Sequence, residues 1–311
     1  MELRRLGVSG LKVSEIGLGC NNFGMRIEQE AATAVVDAAL EAGINFFDTA
    51  DIYGGARSEV MLGQALGARR KDVIVATKFA MPMGGSAYMR GGSRRYVLAA
   101  VDASLQRLGT DYIDLYQMHA PDPETPIEET LDALDDIVRA GKARYIGCSN
   151  FAGWQIAEAD WTAKVRGRTR FITAQNQYSL LERNVEREVI PACDRYGLGL
   201  LPYFPLASGL LTGKYRRGEP PPEGTRLAVW GRRGQDALSE KNFDRVEKLA
   251  AWAAERGHNL LELAFAWLLG HPEVPSVIAG ATTADQVRAN AGAAAWTLGV
   301  QDVAEVVDLI K

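Results

Sequence analysis

Residues able to carry proton chemistry stand at the ends of short apolar runs along this chain. Asp48 ends NFFD, Lys78 ends VIVATK, His119 ends IDLYQMH, Asn150 closes IGCSN, Gln175 and Asn176 close FITAQN, and Tyr203 closes LLPY. Singly, each has a plain structural reading: an Asp at a strand end commonly caps a turn or helix, and a lone Lys, His or Tyr commonly serves packing. Six such ends in one chain point instead to a shared site. Asp48, Tyr53, Lys78 and His119 form a set suited to reducing a carbonyl group. Hydride attack there builds negative charge on oxygen, which must be stabilised and protonated. A Tyr hydroxyl does both, although its ordinary pKa of about 10 makes it a slow acid at neutral pH. A neighbouring ammonium favours the phenolate and lowers that value. A carboxylate can hold the ammonium, and a neutral imidazole can orient the carbonyl.

Such residues need a frame that brings strand ends to one place. Eight β-rich runs (15–18, 45–48, 73–78, 113–119, 143–149, 171–176, 199–204 and 276–279) alternate with helical patterns, among them 28–42, 96–108, 127–140, 184–196 and 243–256. Apolar residues in the latter recur at three and four positions, as helices packed on a sheet require. Gly43, Gly141 and Gly197 mark helix ends. Near-continuous apolar strands separated by helices imply a parallel sheet buried on both faces. Eight such units favour an α/β fold: a single (β/α)8 TIM barrel, one domain over 1–311, whose strand ends converge on one face. Leu3–Arg5 and Lys12–Val13, flanking Ser9-Gly10, read as an N-terminal β-hairpin plugging the barrel bottom. Two irregular stretches, 81–95 and 213–235, read as long loops at the C-terminal face.

Composition sets the limits. The 311 residues are 47% hydrophobic and 24% charged with net charge −4, an ordinary enzyme's balance that speaks against a nucleic-acid or acidic-membrane binder. The N-terminal stretch lacks a signal-peptide pattern, and the C-terminal part has no apolar run long enough to span a bilayer. Cys20, Cys148 and Cys193, odd in number and widely spaced, read as reduced thiols in a cytoplasmic protein, with Cys20 and Cys148 as small buried hydrophobes. None of the three histidines stands at metal-ligand spacing, so no metal site is expected. GLGCNNFG misses the dinucleotide fingerprint, and the glycines before Lys214 are not spaced as a Walker loop.

The motifs FDTADIYG (Phe47–Gly54), QMHAPDP (Gln117–Pro123), GKARYIGCSNF (Gly141–Phe151), QNQYSLL (Gln175–Leu181) and PLASGLLTGKY (Pro205–Tyr215), with the strand ending in Lys78, resemble the aldo-keto reductases over essentially the whole chain. The resemblance implies an oxidoreductase using NADPH to reduce an aldehyde or ketone, with Asp48, Tyr53, Lys78 and His119 as a catalytic tetrad and Tyr53 as general acid. It implies that Ser149, Asn150 and Gln175 hold the nicotinamide carboxamide and that Tyr203 stacks on the ring. The backbone of Leu206, Ser208 and Leu211 would approach the pyrophosphate, with Lys214 supplying charge. Gly280 opens the segment GATTADQVRANAGA, whose Thr282, Gln286 and Asn290 would meet the adenosine 2′-phosphate and adenine at a helix N-terminus. Here the chain departs from the pattern, since many relatives carry Lys or Arg at position 282 and Glu at 289. That departure leaves NADH open beside NADPH. Arg288 reads as a solvated side chain.

Two rival readings remain at this stage: an aldolase or lyase using Lys78 as a Schiff-base amine, and a non-catalytic NADPH-binding regulatory subunit of the kind some aldo-keto reductase relatives form. The substrate pocket is expected to be lined by Phe23, Tyr53, Phe79, His119 and the two long loops. Trp230 and Arg232 would close over a substrate, or Trp230 would merely anchor its loop. The partner is a small carbonyl compound, not nucleic acid or membrane; the sequence gives neither its identity nor the oligomeric state.

Overall fold

The computed structural model describes residues 1–229 and 232–311. The strands are β1 (Leu3–Arg5), β2 (Lys12–Ser14), β3 (Ile16–Gly19), β4 (Phe46–Asp48), β5 (Ile74–Phe79), β6 (Ile113–Met118), β7 (Ala143–Ser149), β8 (Phe171–Gln177), β9 (Gly199–Tyr203) and β10 (Val277–Gly280). The helices are α1 (Gln29–Glu41), α2 (Arg57–Leu66), α3 (Arg94–Leu108), α4 (Ile127–Arg139), α5 (Gly153–Arg166), α6 (Val189–Tyr196), α7 (Arg226–Val229), α8 (Arg232–Ala237), α9 (Glu240–Glu255), α10 (Leu260–Leu269), α11 (Ala284–Ala293) and α12 (Val300–Leu309). β3 to β9 pair in parallel in chain order, and β10 pairs in parallel with β3. Just before β10, Glu273 accepts a 2.7 Å bond from the amide of Leu200 on β9, drawing the ring together. The result is the expected (β/α)8 barrel, with every β-rich run of the sequence in place.

Local chemistry explains the elements. β6 (IDLYQM) is buried throughout, as a strand packed on both faces must be. In α4, Leu131, Leu134 and Ile137 form the buried stripe, while Glu128 and Glu129 sit in the first turn, where the helix dipole favours acid. Asn259 and Glu262 cap α10 reciprocally at 3.0 and 2.9 Å.

The helix expected over 184–196 breaks into a 3-10 turn, Asn184–Arg187, and α6. Pro191 explains the restart, because it lacks an N–H and its ring would clash with a helical carbonyl four residues back. The 213–235 stretch, expected as loop, contains α7 and the start of α8. Trp230 lies outside the described residues, as does the side chain of Arg232.

The hairpin pairs Leu3 with Ser14 and Arg5 with Lys12. Behind it, Leu6 and Val13 join Phe46, Ala76, Leu115, Leu201 and Ile278 in an apolar cluster inside the barrel, so the hairpin forms the floor. Gly7 is required there: at φ 58° it takes a left-handed turn, and a Cβ would lie 2.6 Å from the carbonyls of Gly197 and Ile172. Most remaining apolar side chains pack between sheet and helices.

Candidate active site

The open end of the barrel holds a cavity of about 750 Å³. Asp48, Tyr53, His119, Ser149, Asn150, Gln175, Tyr203, Leu206, Ser208, Lys214, Gly280, Thr282, Gln286 and Asn290 all line it. Lys78 lies behind this wall, fully buried. Leu211 is buried in the core cluster and does not line the cavity. Phe23 and Phe79, expected at the pocket, are fully buried core residues, and Phe79 stacks on Tyr116 at 4.8 Å. The 81–95 loop contributes no lining residue among those described.

Strand register fixes the catalytic set. Asp48 pairs with Gly19 and Ala76, and Lys78 pairs with Gln117. The Lys78 ammonium donates to Asp48 Oδ2 at 2.6 Å and to the Thr49 carbonyl at 2.8 Å. It lies 5.1 Å from the centre of the Tyr53 ring. His119 meets Tyr53 edge-on, with ring centres 5.7 Å apart. Burial works against the charged form of Lys78, but Asp48 and Tyr53 together outweigh it and hold the ammonium above its ordinary range.

Tyr53 departs from the expectation. Burial raises its pKa above the usual tyrosine value, and Lys78, although it pulls downward as expected, does not cancel that effect. Asp48, which neutralises the lysine's charge, adds to the rise. The phenol therefore rests protonated. His119 moves the other way, to about 3, first through burial and then through the Lys78 charge. Its imidazole is neutral at physiological pH, as the carbonyl-orienting role requires.

Asp48 has support that sequence reasoning missed. Gln175 Nε2 donates to Asp48 Oδ1 at 2.9 Å, and Gln117 Nε2 approaches the same oxygen at 3.4 Å. Thr173 in turn donates to Gln117 Oε1 at 3.1 Å. This chain crosses the barrel interior where Gly147 leaves room, since a Cβ there would overlap Thr173 Oγ1. Gln117 sits in the QMHAPDP segment, the one signal that marked it.

The second half of the cavity is built from later strand ends. Ser149 Oγ donates to the Gln175 carbonyl at 2.8 Å. Asn150, in a left-handed conformation at φ 61°, donates from Nδ2 to the His119 carbonyl at 2.9 Å. Phe204 and Ser208, also cavity-lining, hold φ 53° and 60°. Non-glycine residues in this region are strained, and such strain gathers at functional sites. Arg26, together with Lys214 and Arg226 of the 213–235 segment, brings positive charge to the same cavity. Burial and then Arg26 lower the pKa of both Lys214 and Arg226, and Arg226 further lowers that of Lys214. Cations crowded this way fit a polyanionic ligand, as the phosphates of a dinucleotide would be. Arg26 reaches the Gly224 carbonyl at 2.6 Å and Arg226 reaches Asn22 Oδ1 at 3.4 Å, so the 213–235 segment is tied across the opening. Arg26 carried no signal in the sequence, and Arg226 only that of its 213–235 loop.

At the segment opening with Gly280, Thr283 Oγ1 caps α11 by accepting from the Gln286 amide at 3.3 Å. Gln286 Oε1 accepts from the Thr282 amide and hydroxyl at 2.8 and 3.1 Å. Arg288 is exposed and pairs with Asp285, matching its solvated reading. All three cysteines are free and buried. Among the described residues there is no helix long and apolar enough to cross a membrane and no cluster able to hold a metal ion.

Comparison with known proteins agrees with this geometry. The Aldo/keto reductase family profile matches residues 15–311. An uncharacterized oxidoreductase of Bacillus subtilis (strain 168), YrpG, is 40% identical over 93% of this chain and 89% of its own. A probable voltage-gated potassium channel subunit beta of Oryza sativa subsp. japonica is 39% identical over 93% and 90%. The versiconal hemiacetal acetate reductase of Aspergillus parasiticus is 37% identical over 92% and 90%. With this match over nearly its full length, the chain belongs to the aldo/keto reductase family of oxidoreductases.

Proposed function

We propose that this protein reduces an aldehyde or ketone to an alcohol with NADPH, with Tyr53 as the proton donor. One observation carries the reading: Tyr53 and His119 share the cavity wall edge to face, backed by a buried Lys78–Asp48 ion pair. The nicotinamide, when bound, supplies the hydride. His119 orients the carbonyl oxygen toward the Tyr53 hydroxyl. As negative charge develops on that oxygen, it becomes more basic than the phenolate and takes the Tyr53 proton. Lys78 favours the phenolate left behind, and Asp48, itself held by Gln175 and Gln117, keeps the ammonium in place. Ser149, Asn150, Gln175 and Tyr203, which line the cavity, would hold the nicotinamide end, and Arg26, Lys214 and Arg226 the phosphates. That charge suits the pyrophosphate of either coenzyme, so NADPH rests on the resemblance, with NADH the alternative to be measured.

The Schiff-base reading loses support because the Lys78 amine is fully buried, held by Asp48 and favoured in its charged, non-nucleophilic form. The relative named as a potassium channel subunit beta keeps a second reading in play, a cofactor-binding regulatory subunit. Oxidation of NADPH, and separately NADH, with a panel of small aldehydes and ketones distinguishes them. Turnover that disappears in Tyr53→Phe while cofactor affinity stays is the expected result. Binding without turnover on any substrate favours the regulatory role, and lost binding in Tyr53→Phe rejects the site.

A further inference from the structure

Behind the catalytic wall, between β5, α2 and α3, lies a charged cluster that the proposed mechanism does not use. Asp51 and Glu59 are both buried carboxyls, at 1% and 0% exposure. Glu59 is satisfied on both oxygens: Thr77 donates to Oε1 at 2.5 Å and Arg107 to Oε2 at 2.6 Å. Asp51 receives the Tyr96 hydroxyl, at 3.2 Å on Oδ2, and a weaker pull from the Ile52 amide, while its Oδ1 is buried without a close hydrogen bond. Arg107 is the cation acting on both carboxyls, so one of the pair lacks full compensation, and Asp51 is the one without the direct bond. An uncompensated buried carboxylate takes up a proton instead. Burial first, then the Glu59 charge, push Asp51 up to about 7, against smaller pulls from Tyr96, Arg107 and the Ile52 amide. Tyr116, from β6, faces the same charges and is pushed well above its ordinary value, so it stays neutral.

The cluster also has mechanical reach. Asp51 stands two residues before Tyr53, and its amide donates to the Lys78 carbonyl at 3.1 Å. Thr77, the partner of Glu59, is the strand neighbour of Lys78. The cluster thus ties the turn carrying Tyr53 to the strand carrying Lys78.

Resting on the reductase reading, we propose that Asp51 is a positioning residue, whose neutral form holds Tyr53 in register with Lys78 and whose ionisation loosens that register. The catalytic groups themselves leave the neutral range clear, because His119 titrates near 3 and Tyr53 and Lys78 lie above their ordinary alkaline values. A fall in kcat near neutral pH that Asp51→Asn removes would therefore belong to Asp51.

The test compares the wild type, Asp51→Asn and Tyr96→Phe across the pH range. Asn mimics the neutral acid in shape and cannot ionise. In the wild type, kcat should fall on the order of tenfold through the limb, well within what misplacing a catalytic group by ~1 Å costs. Asp51→Asn should abolish the limb while matching wild-type kcat below it. Tyr96→Phe removes a bond that favours the ionised form, so its limb should move to higher pH. Carboxyl and tyrosine-ring carbon NMR on the same proteins needs no turnover: Asp51 should titrate near 7 with the Tyr53 ring signal following it. Absence of that titration, or a limb unchanged in Asp51→Asn, overturns the proposal. A titration coupled to Tyr53 in a protein without turnover supports the positioning role and overturns only the reductase reading.

Discussion

The Tyr203 hydroxyl donates a 2.8 Å hydrogen bond to Oδ1 of Asn150, joining the ends of two strands that are not neighbours in the sheet. With Oδ1 taken, the Asn150 amide is oriented so that Nδ2 reaches the His119 carbonyl. Tyr203→Phe releases that orientation. Because such a bond contributes about 1 kcal/mol, NADPH affinity should fall roughly fivefold in a fluorescence titration, with kcat nearly unchanged. A changed kcat at unchanged affinity would move Tyr203 from the cofactor to the chemistry.

The Lys78–Asp48 pair is buried, so removing one partner strands the other. Lys78→Met should abolish turnover and destabilise the fold by about 3–5 kcal/mol, the usual cost of an unpaired buried charge. Adding Asp48→Asn should recover much of that stability without restoring turnover. Urea unfolding of both variants checks this, and equal midpoints would show that the pair does not act as a unit.

Gly147 leaves the space that Thr173 and Gln117 use to support Asp48. Gly147→Ala should cost about 1–3 kcal/mol by overpacking and lower turnover through Asp48. Thr173→Ala in the same chain removes the overlapping hydroxyl and should recover stability more than activity. No loss in Gly147→Ala would mean the barrel interior yields there.

Asp51 and His119 give stability opposite dependences on pH. Asp51 is raised from about 3.9 unfolded to about 7 folded, so the native state holds more protons and stability falls as pH rises through that window. His119 is lowered from about 6.5 unfolded to about 3 folded, so the unfolded state holds more protons and stability rises with pH. Where the windows overlap, roughly pH 4 to 6.5, the two slopes of up to about 1.4 kcal/mol per pH unit oppose each other. Asp51→Asn should unmask a rise in stability with pH, and His119→Gln a fall. Denaturant midpoints at several pH values read both, and parallel curves would refute the assignment.

Thr282→Arg places a cation at the start of α11, where the Thr282 amide and hydroxyl now bond Gln286. A charge-assisted contact of about 1.5 kcal/mol corresponds to roughly tenfold tighter NADPH binding, with NADH little changed. Equal effects on both would remove this helix from the 2′-phosphate.

The fold was legible because its strands are short apolar runs, each ending in a polar residue that strand geometry sends to one face. Asp48, Lys78, His119 and Tyr203 announce themselves that way. What stayed hidden depends on orientation or distance. Strands buried on both faces carry no alternation, so nothing told that Phe79 points into the helix layer and Gln117 into the barrel. Arg26 and Arg226 meet one cavity from segments far apart in the chain, which no local pattern encodes. Asp51 reads as another acid in a motif until the fold buries it beside Glu59.

The wedged hairpin floor has a kinetic consequence. A vessel sealed below has one mouth, so cofactor and substrate arrive and depart through the same opening. Under the proposed reading the nicotinamide end would reach down toward Gln175 and Asp48, beneath the 213–235 segment tied across the opening. If the nicotinamide sits deepest, as proposed, the dinucleotide would enter before the substrate and leave after the product. The turnover rate would then be governed by how fast the strap between Arg26 and Gly224 releases the spent dinucleotide, a step in which no catalytic residue takes part.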